Sequence, residues 1–178
     1  QTRTGKSGTL FPSEGKGQKD LQVRGGKDNF PLADSVWAYD PVNRVIVAHG
    51  SKKGPKQTHH YDIARNSWTR VTNVPRSSKE VPYAHNANTL FGYDPVAKVC
   101  LIYAPVDYSR SAKAEKHPHV MWSYSAREKK WTKLPMKGVS PPAGKKGPTG
   151  YFDPARNVFV LCWGRRVWVY RNRTGSKL

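Results

Sequence analysis

A phrase of about fourteen residues recurs three times along this chain and limits the folds that the chain can adopt. The copies are residues 37–50 (WAYDPVNRVIVAHG), 91–104 (FGYDPVAKVCLIYA) and 150–163 (GYFDPARNVFVLCW). Each copy has a short apolar stretch, an aromatic residue followed by Asp and, after the turn, a run rich in Val, Ile or Phe. Because Asp and Pro favour turns and β-branched residues favour strands, each copy predicts a β-hairpin.

A second hairpin follows the first in each unit. Tyr61 and Trp68 lie seven residues apart, as do Tyr124 and Trp131, whereas the third copy begins at residues 168–170 and has Lys177 where the Trp would fall. Two hairpins per unit, repeated after about 54 and 59 residues, are typical of blades in a β-propeller. We therefore predict an all-β fold, a partial β-propeller of antiparallel four-stranded blades. The blades are expected at residues 31–71, 83–134 and 147–178, with the outer strand missing from the third.

Residues 1–30 differ in composition from the rest of the chain. They are rich in Gly and Lys, and only residues 9–11 and 21–23 are apolar enough to form short strands. We predict an extended basic N-terminal arm, which could lend one strand to the propeller.

The repeats resemble kelch repeats, the blades of galactose-oxidase-type propellers. Tyr61 and Asp62 followed by Trp68, and Tyr124 followed by Trp131, match the second half of the family pattern. The paired glycines of the family are replaced at residues 49–50, 103–104 and 163–164. The resemblance covers residues 31–170, and it implies a scaffold rather than an activity. It also favours a secreted or periplasmic location, although the sequence by itself leaves the compartment unknown.

The number of blades poses a problem of closure. Closed propellers have roughly four to eight blades, whereas this chain supplies fewer than three complete ones. The open sheet faces can be covered in three ways: by further blades upstream of Gln1, by a second copy, or by a partner chain. Because the last unit ends as a final blade would, the sequence favours upstream blades, with an oligomeric ring as the second choice.

The net charge indicates the kind of partner. The chain has 31 Lys and Arg against 12 Asp and Glu, a formal charge of +19 and a pI near 10.2. A charge of this size attracts nucleic acid, acidic glycans, anionic lipid headgroups and acidic protein surfaces without choosing among them.

The basic residues cluster on one predicted face of the disc. We call this face the loop face, and it carries the loops that follow the Val-rich strands and the linkers between blades. The hairpin turns lie on the opposite face, and their acidic residues are Asp40, Asp62, Asp94, Glu128 and Asp153. The predicted binding residues on the loop face are Lys52, Lys53, Lys56, Arg110, Lys113, Lys116, Lys145, Lys146, Arg165 and Arg166, together with Arg76, Lys79 and Lys137. The alternative is that these are solvated loops that keep the protein in solution.

The sequence gives weaker support for catalytic or metal-binding residues than for an anion-binding surface. His49, His59, His60, His85, His117 and His119 have no spacing of the zinc type, and His59 aligns with Trp122 and Trp168, which predicts a packing role. Asp40, Asp94 and Asp153 are equivalent turn residues, which predicts a structural role. The sequence therefore predicts no catalytic residue, no metal and no cofactor.

The favoured function is a non-catalytic propeller module whose basic loop face binds an anionic partner: an acidic glycan, a nucleic acid or an acidic protein. Two alternatives stay open. One is a fragment of a kelch-type oxidase or glycan-active enzyme whose site lies in missing blades, and the other is an architectural subunit of a larger assembly. No apolar run reaches the length of a membrane span.

Overall fold

A computed structural model describes residues 35–50, 55–84, 89–106, 119–138, 141 and 149–172. These residues form eleven β-strands and no helix. In chain order the strands are β1 Val36–Asp40, β2 Val45–Gly50, β3 Lys56–Asp62, β4 Ser67–Val74, β5 Leu90–Asp94, β6 Val99–Pro105, β7 His119–Ser125, β8 Lys130–Leu134, β9 Thr149–Asp153, β10 Val158–Trp163 and β11 Arg166–Tyr170. The predicted basic arm lies outside the described residues.

The strands form three antiparallel sheets in which neighbours in sequence are neighbours in space. Blade one has the strand order β1-β2-β3-β4, blade two has the order β5-β6-β7-β8, and the described part of blade three has the order β11-β10-β9. The predicted all-β fold, a partial propeller of antiparallel blades, is confirmed. The third sheet lacks a fourth strand among the described residues, as the missing Trp of the third repeat predicted. The described residues also contain no helix long and apolar enough to cross a membrane.

Five hairpin turns of four residues join the strands within these sheets. In the first, the Oδ1 atom of Asp40 accepts hydrogen bonds from the backbone amides of Val42 and Asn43, both at 3.0 Å. Asp94 and Asp153 accept the equivalent pairs of amides. The fourth turn residue has a positive φ of 49–57° in all five turns: Arg44, Asn66, Lys98, Lys129 and Asn157. The repeated Asp residues therefore shape the turns, because they satisfy amides that the strands leave unpaired.

The pairing register places the repeated aromatic residues at equivalent positions. Tyr61 lies opposite Trp68, and Tyr124 lies opposite Trp131. Tyr170 lies opposite Phe159, at the position that Tyr61 and Tyr124 occupy against their own second strands. The predicted equivalence of the three Tyr residues and of the two Trp residues is confirmed.

The blades stack so that each one turns its aromatic face toward the preceding blade. We call the sheet face that carries the repeated Tyr and Trp the front face, and the opposite one the back face. The front face of blade two, with Trp122, Tyr124 and Trp131, packs on Ala38 and Val47 in the back face of blade one. In the same way, the front face of blade three packs on the back face of blade two, and the second core cluster joins the residues Leu101, Tyr103, Met121, Phe159 and Leu161.

The strand β6 lies at the centre of this stack. Its residues alternate between the two cores: Cys100 and Ile102 face blade one, whereas Leu101 and Tyr103 face blade three. All four are at most 1 % exposed. A strand buried on both faces reads as a continuous apolar run, and residues 99–104 have that pattern. Cys100 and Cys162 are both free thiols and lie in separate sheets.

Candidate anion-binding groove

A groove runs between blade one and blade two at their outer strands. One wall comes from the end of β4 and the segment that follows it, and the other comes from β7, β8 and the turn between them. Its volume is 620 Å³, and its lining residues are Thr72, Val74, Lys79, Glu80, Val81, Trp122, Lys129, Lys130, Trp131, Thr132 and Lys133. The fold builds this groove because β4 and β8 are the outer strands of neighbouring blades, where the sheets meet solvent.

The groove is strongly positive. Lys79, Lys129, Lys130 and Lys133 line it, and Glu80 is the one acidic residue among the described residues of the lining. All four ammonium groups belong to exposed side chains. The two ion pairs formed between described residues, Arg65 with Asp62 and Arg156 with Asp153, lie in the hairpin turns instead. Like charges gathered in a concave site with protein walls raise the local concentration of anions.

Two buried tryptophans form the floor of the groove. Trp122 is 1 % exposed and Trp131 is 7 % exposed, so neither presents a ring face for a ligand to stack on. Lys133 Nζ lies 5.1 Å from the centroid of the Trp122 ring, a distance at which the ring attracts the cation. Trp122 therefore holds the Lys133 side chain, and the lysines are the groups that the groove exposes.

Hydrogen bonds across the two blades fix the walls of the groove. Trp131 Nε1 donates to Thr58 Oγ1 at 3.0 Å, and the same hydroxyl lies 2.9 Å from His49 Nδ1. His60 Nε2 lies 2.8 Å from the Tyr124 hydroxyl. Because the bonds of Trp131 and Tyr124 are buried and cross the interface, they fix β7 and β8 of blade two against β3 of blade one.

The histidines behind the groove are uncharged at neutral pH. Burial lowers the pKa of His49 to about 4. The pKa of His60 is also lowered to about 4, by burial first and by the positive charge of Lys129 second. The positive charge of the groove therefore comes from its lysines alone at pH 7.

Comparison with known proteins finds a structural similarity of low score and no family. No protein-family model matches the sequence, and no curated protein matches it. Among solved structures, TolB from Acinetobacter baumannii aligns with a TM-score of 0.46 and 14 % sequence identity. The alignment covers 80 % of this chain and 31 % of TolB, so the chain spans about a third of the length of that protein. The propeller assignment rests on the sheet topology given above.

Lys56 does not belong to an exposed surface, contrary to the expectation from its place in a basic loop. It is the first residue of β3, and its side chain is fully buried. Its ammonium group donates to the carbonyl oxygens of Val81 and Val106, both at 2.9 Å, and to that of Ser78. An ammonium group has three protons, and these three carbonyls accept them. Lys56 therefore joins β3 to the segments that follow β4 and β6. It does not belong to the predicted binding surface.

The remaining loop-face residues are only partly accounted for. Arg165 and Arg166 are exposed at the turn between β10 and β11 in blade three, and Lys79 lines the groove. Arg76 lies with its guanidinium 5.4 Å from the centre of the Tyr83 ring, and Lys137 is exposed. The other seven predicted binding residues lie outside the described residues: Lys52, Lys53, Arg110, Lys113, Lys116, Lys145 and Lys146.

The histidines and acids form no metal-binding cluster among the described residues. No group of three or more His, Cys, Asp and Glu residues is placed to hold a metal ion within the described ranges. The register places His59, Trp122 and Trp168 at equivalent positions, as the repeats predicted. His85 and His117 lie outside the described residues.

Sequence reasoning missed three of the four groove lysines. Lys129, Lys130 and Lys133 belong to the hairpin of β7 and β8, which the repeats assigned to the turn face and the outer strand. The run of residues 129–133 (KKWTK) carries a signal, since it puts three lysines around the Trp of the repeat. Whether these lysines line a groove depends on the distance between blades one and two. The sequence of one hairpin does not specify that distance.

Proposed function

We propose that this chain is a non-catalytic propeller module that binds an anionic partner, with the lysine groove between blades one and two as its site. The observation that carries the proposal is the set of Lys79, Lys129, Lys130 and Lys133 around one concave surface, whose described lining includes a single acidic residue. Phosphate, sulfate and carboxylate groups are the anions that such a site favours, because each accepts charge-assisted hydrogen bonds from ammonium groups.

The buried tryptophans support a site that reads charge rather than aromatic stacking. Nucleic-acid sites that stack bases use accessible aromatic rings, whereas Trp122 and Trp131 are almost completely covered. A flexible acidic chain, such as a sulfated or uronic-acid glycan, needs only spaced positive charges. We therefore place an acidic glycan first, with nucleic acid and acidic proteins after it.

The carboxylates support a non-catalytic role. Asp40, Asp94 and Asp153 are engaged with backbone amides of their own turns. These groups are equivalent by repeat, as expected of residues that build each hairpin in the same way. The kelch-type assignment, and the secreted or periplasmic location that it favours, stay predictions.

The loop face stays a second candidate surface for the same anionic partner. Arg165 and Arg166 are exposed there, and Lys52, Lys53, Arg110, Lys113, Lys116, Lys145 and Lys146 belong to it by prediction. The groove ranks above it because the groove lysines share one described concavity. The two surfaces are separable by substitution, since they have no residue in common apart from Lys79.

Three charge-reversal variants with four substitutions each test the proposal. The groove variant changes Lys79, Lys129, Lys130 and Lys133 to Glu; the loop variant changes Lys52, Lys53, Arg165 and Arg166 to Glu; the control changes Arg44, Arg65, Lys98 and Arg156, in the hairpin turns, to Glu. The total charge changes equally in all three. We expect the groove variant to weaken binding to a heparin oligosaccharide by at least about 100-fold, and the control to weaken it by less than about tenfold.

Each other result has a defined meaning. Equal losses in all three variants would show that only the net charge attracts the probe. A loss confined to the loop variant would move the site to the loop face. Single-stranded DNA and poly-glutamate, measured in parallel by the same titration, rank the three partner classes. Absence of salt-sensitive binding to every probe would remove the proposal.

A further inference from the structure

Among the described residues no other blade packs on the front face of blade one, although Ala48 and His59 in that face are buried. Trp37 and Tyr39 are each 47 % exposed there, and the partly buried Ile46 and Tyr61 lie in the same row as Tyr39. Trp68 completes the row, and it is covered by the rings of Trp37 and Tyr61, each with its centroid 5.1 Å away. Monomeric proteins rarely leave several adjoining aromatic side chains in contact with water.

The repeats show what kind of surface covers such a face. In blade two the equivalent row is Tyr93, Cys100, Tyr124 and Trp131, and the back face of blade one covers it. In blade three the row is Phe152, Phe159 and Tyr170, and the back face of blade two covers it. The front face of blade one has the same residue classes at the same positions, so its cover is the back face of another blade.

The chain itself offers an uncovered back face at its other end. Tyr151 is 60 % exposed, Val167 is 64 % exposed and Val169 is 61 % exposed. Tyr151, Val160 and Val169 form one row across blade three, equivalent to the buried row of Ala38, Val47 and His60 in blade one. The three described sheets therefore leave exposed apolar side chains on one front face and on one back face.

We propose that a second copy of this chain covers both faces, with the front face of blade one in each copy packed on the back face of blade three in the other. The number of blades supports this occupant. Closed propellers contain roughly four to eight blades, so two copies of a three-blade chain give a ring within that range and three copies exceed it. A head-to-tail contact that closes after two copies leaves neither face in water.

The contact between copies differs from the contacts inside the chain at one position. Tyr151 stands where blade one has Ala38 and blade two has Gly92. Gly92 lies so close to the next blade that a Cβ atom there would come within 2.9 Å of Phe152 Cβ. The inner strands of the two copies therefore approach each other less closely than β5 and β9 do, and the ring of Tyr151 fills the added space.

The test is the native mass of the full 178-residue chain by light scattering at micromolar concentration. We expect twice the 20.0 kDa mass of one chain. A front variant with Trp37→Glu and Tyr39→Glu, and a back variant with Val167→Glu and Val169→Glu, should each have the mass of a single chain. Val42→Glu with Val96→Glu is the matched control, because these valines are 57 % and 55 % exposed in hairpin turns, and it should keep the double mass.

Mixing the two variants distinguishes head-to-tail closure from other pairings. One front and one back variant still share an intact front face and an intact back face, so the mixture should recover a species of double mass. A back variant that keeps the double mass while the front variant loses it would indicate contact between two front faces, and would overturn the proposal. A wild-type chain of single mass would also overturn it. Near-ultraviolet circular dichroism identifies any variant that does not fold, and for such a variant the milder Tyr39→Ser or Val169→Thr replaces it in the same assay.

Discussion

Replacing Trp131 by alanine is expected to lower the free energy of unfolding by about 3–5 kcal/mol. Its side chain is 7 % exposed and lies between blades one and two, where the Tyr124 ring and the His49 ring are each 4.7 Å away. The substitution removes this packing and also the hydrogen bond to Thr58. Urea unfolding followed by circular dichroism measures the effect.

Trp68 is the matched comparison for this prediction. It occupies the same position in its blade and is 8 % exposed, but it lies on the open front face of blade one. Trp68→Ala should therefore cost less than Trp131→Ala in conditions where the chain is a single copy. Trp131→Phe keeps most of the ring and loses the donor, so we expect about 1–2 kcal/mol from it. An equal or larger loss for Trp68→Ala would contradict the packing of blade two on blade one.

Acidification from pH 7 to about pH 4.5 is expected to destabilise the fold by several kcal/mol. Burial lowers the pKa of His49, His59 and His60 from 6.5 to about 4 in the folded chain. Since the unfolded chain binds protons more readily, the stability that these groups contribute is complete above pH 6.5. It is lost as the pH falls toward 4, at up to about 1.4 kcal/mol per pH unit for each histidine.

Substitution of the histidines provides the control for acidification. His49→Gln with His60→Gln removes two groups that titrate in this range, so the double variant should lose less stability between pH 7 and pH 4.5 than the wild type does. Its stability at pH 7 is expected to be lower, because the bonds to Thr58 and Tyr124 change. A wild-type unfolding free energy that stays constant from pH 7 to pH 4.5 would show that these histidines are not buried in neutral form.

The architecture was predictable from the sequence because its determinants are local. Asp40, Asp94 and Asp153 each bond to amides two and three residues later, and strand residues alternate between faces with a period of two. These two rules predicted the hairpins and the equivalent positions of the repeated Tyr and Trp residues, which the pairing register confirms.

The site was less predictable because it depends on contacts between distant segments. Lys56 lies between Pro55 and Gln57, in a stretch whose composition predicts a basic loop. Its burial depends on contacts with the carbonyls of Val81 and Val106, which are distant in sequence. The lysines of the groove come from two blades, Lys79 from the first and Lys129, Lys130 and Lys133 from the second. These lysines face the same groove because of the way the two blades pack. The residue types alone do not specify that packing.

The salt dependence of binding tests the central claim most directly. The wild type and a variant with Lys79, Lys129, Lys130 and Lys133 changed to Gln are titrated with a heparin oligosaccharide between about 50 and 200 mM salt. Each lysine that contacts a flexible polyanion contributes roughly 0.7 to the slope of log K against log salt, so four should contribute about 3. We predict that the groove variant loses about that amount, and that Arg44, Arg65, Lys98 and Arg156 changed to Gln leave the slope unchanged. An equal slope for the groove variant and the wild type would contradict an anion site in the groove.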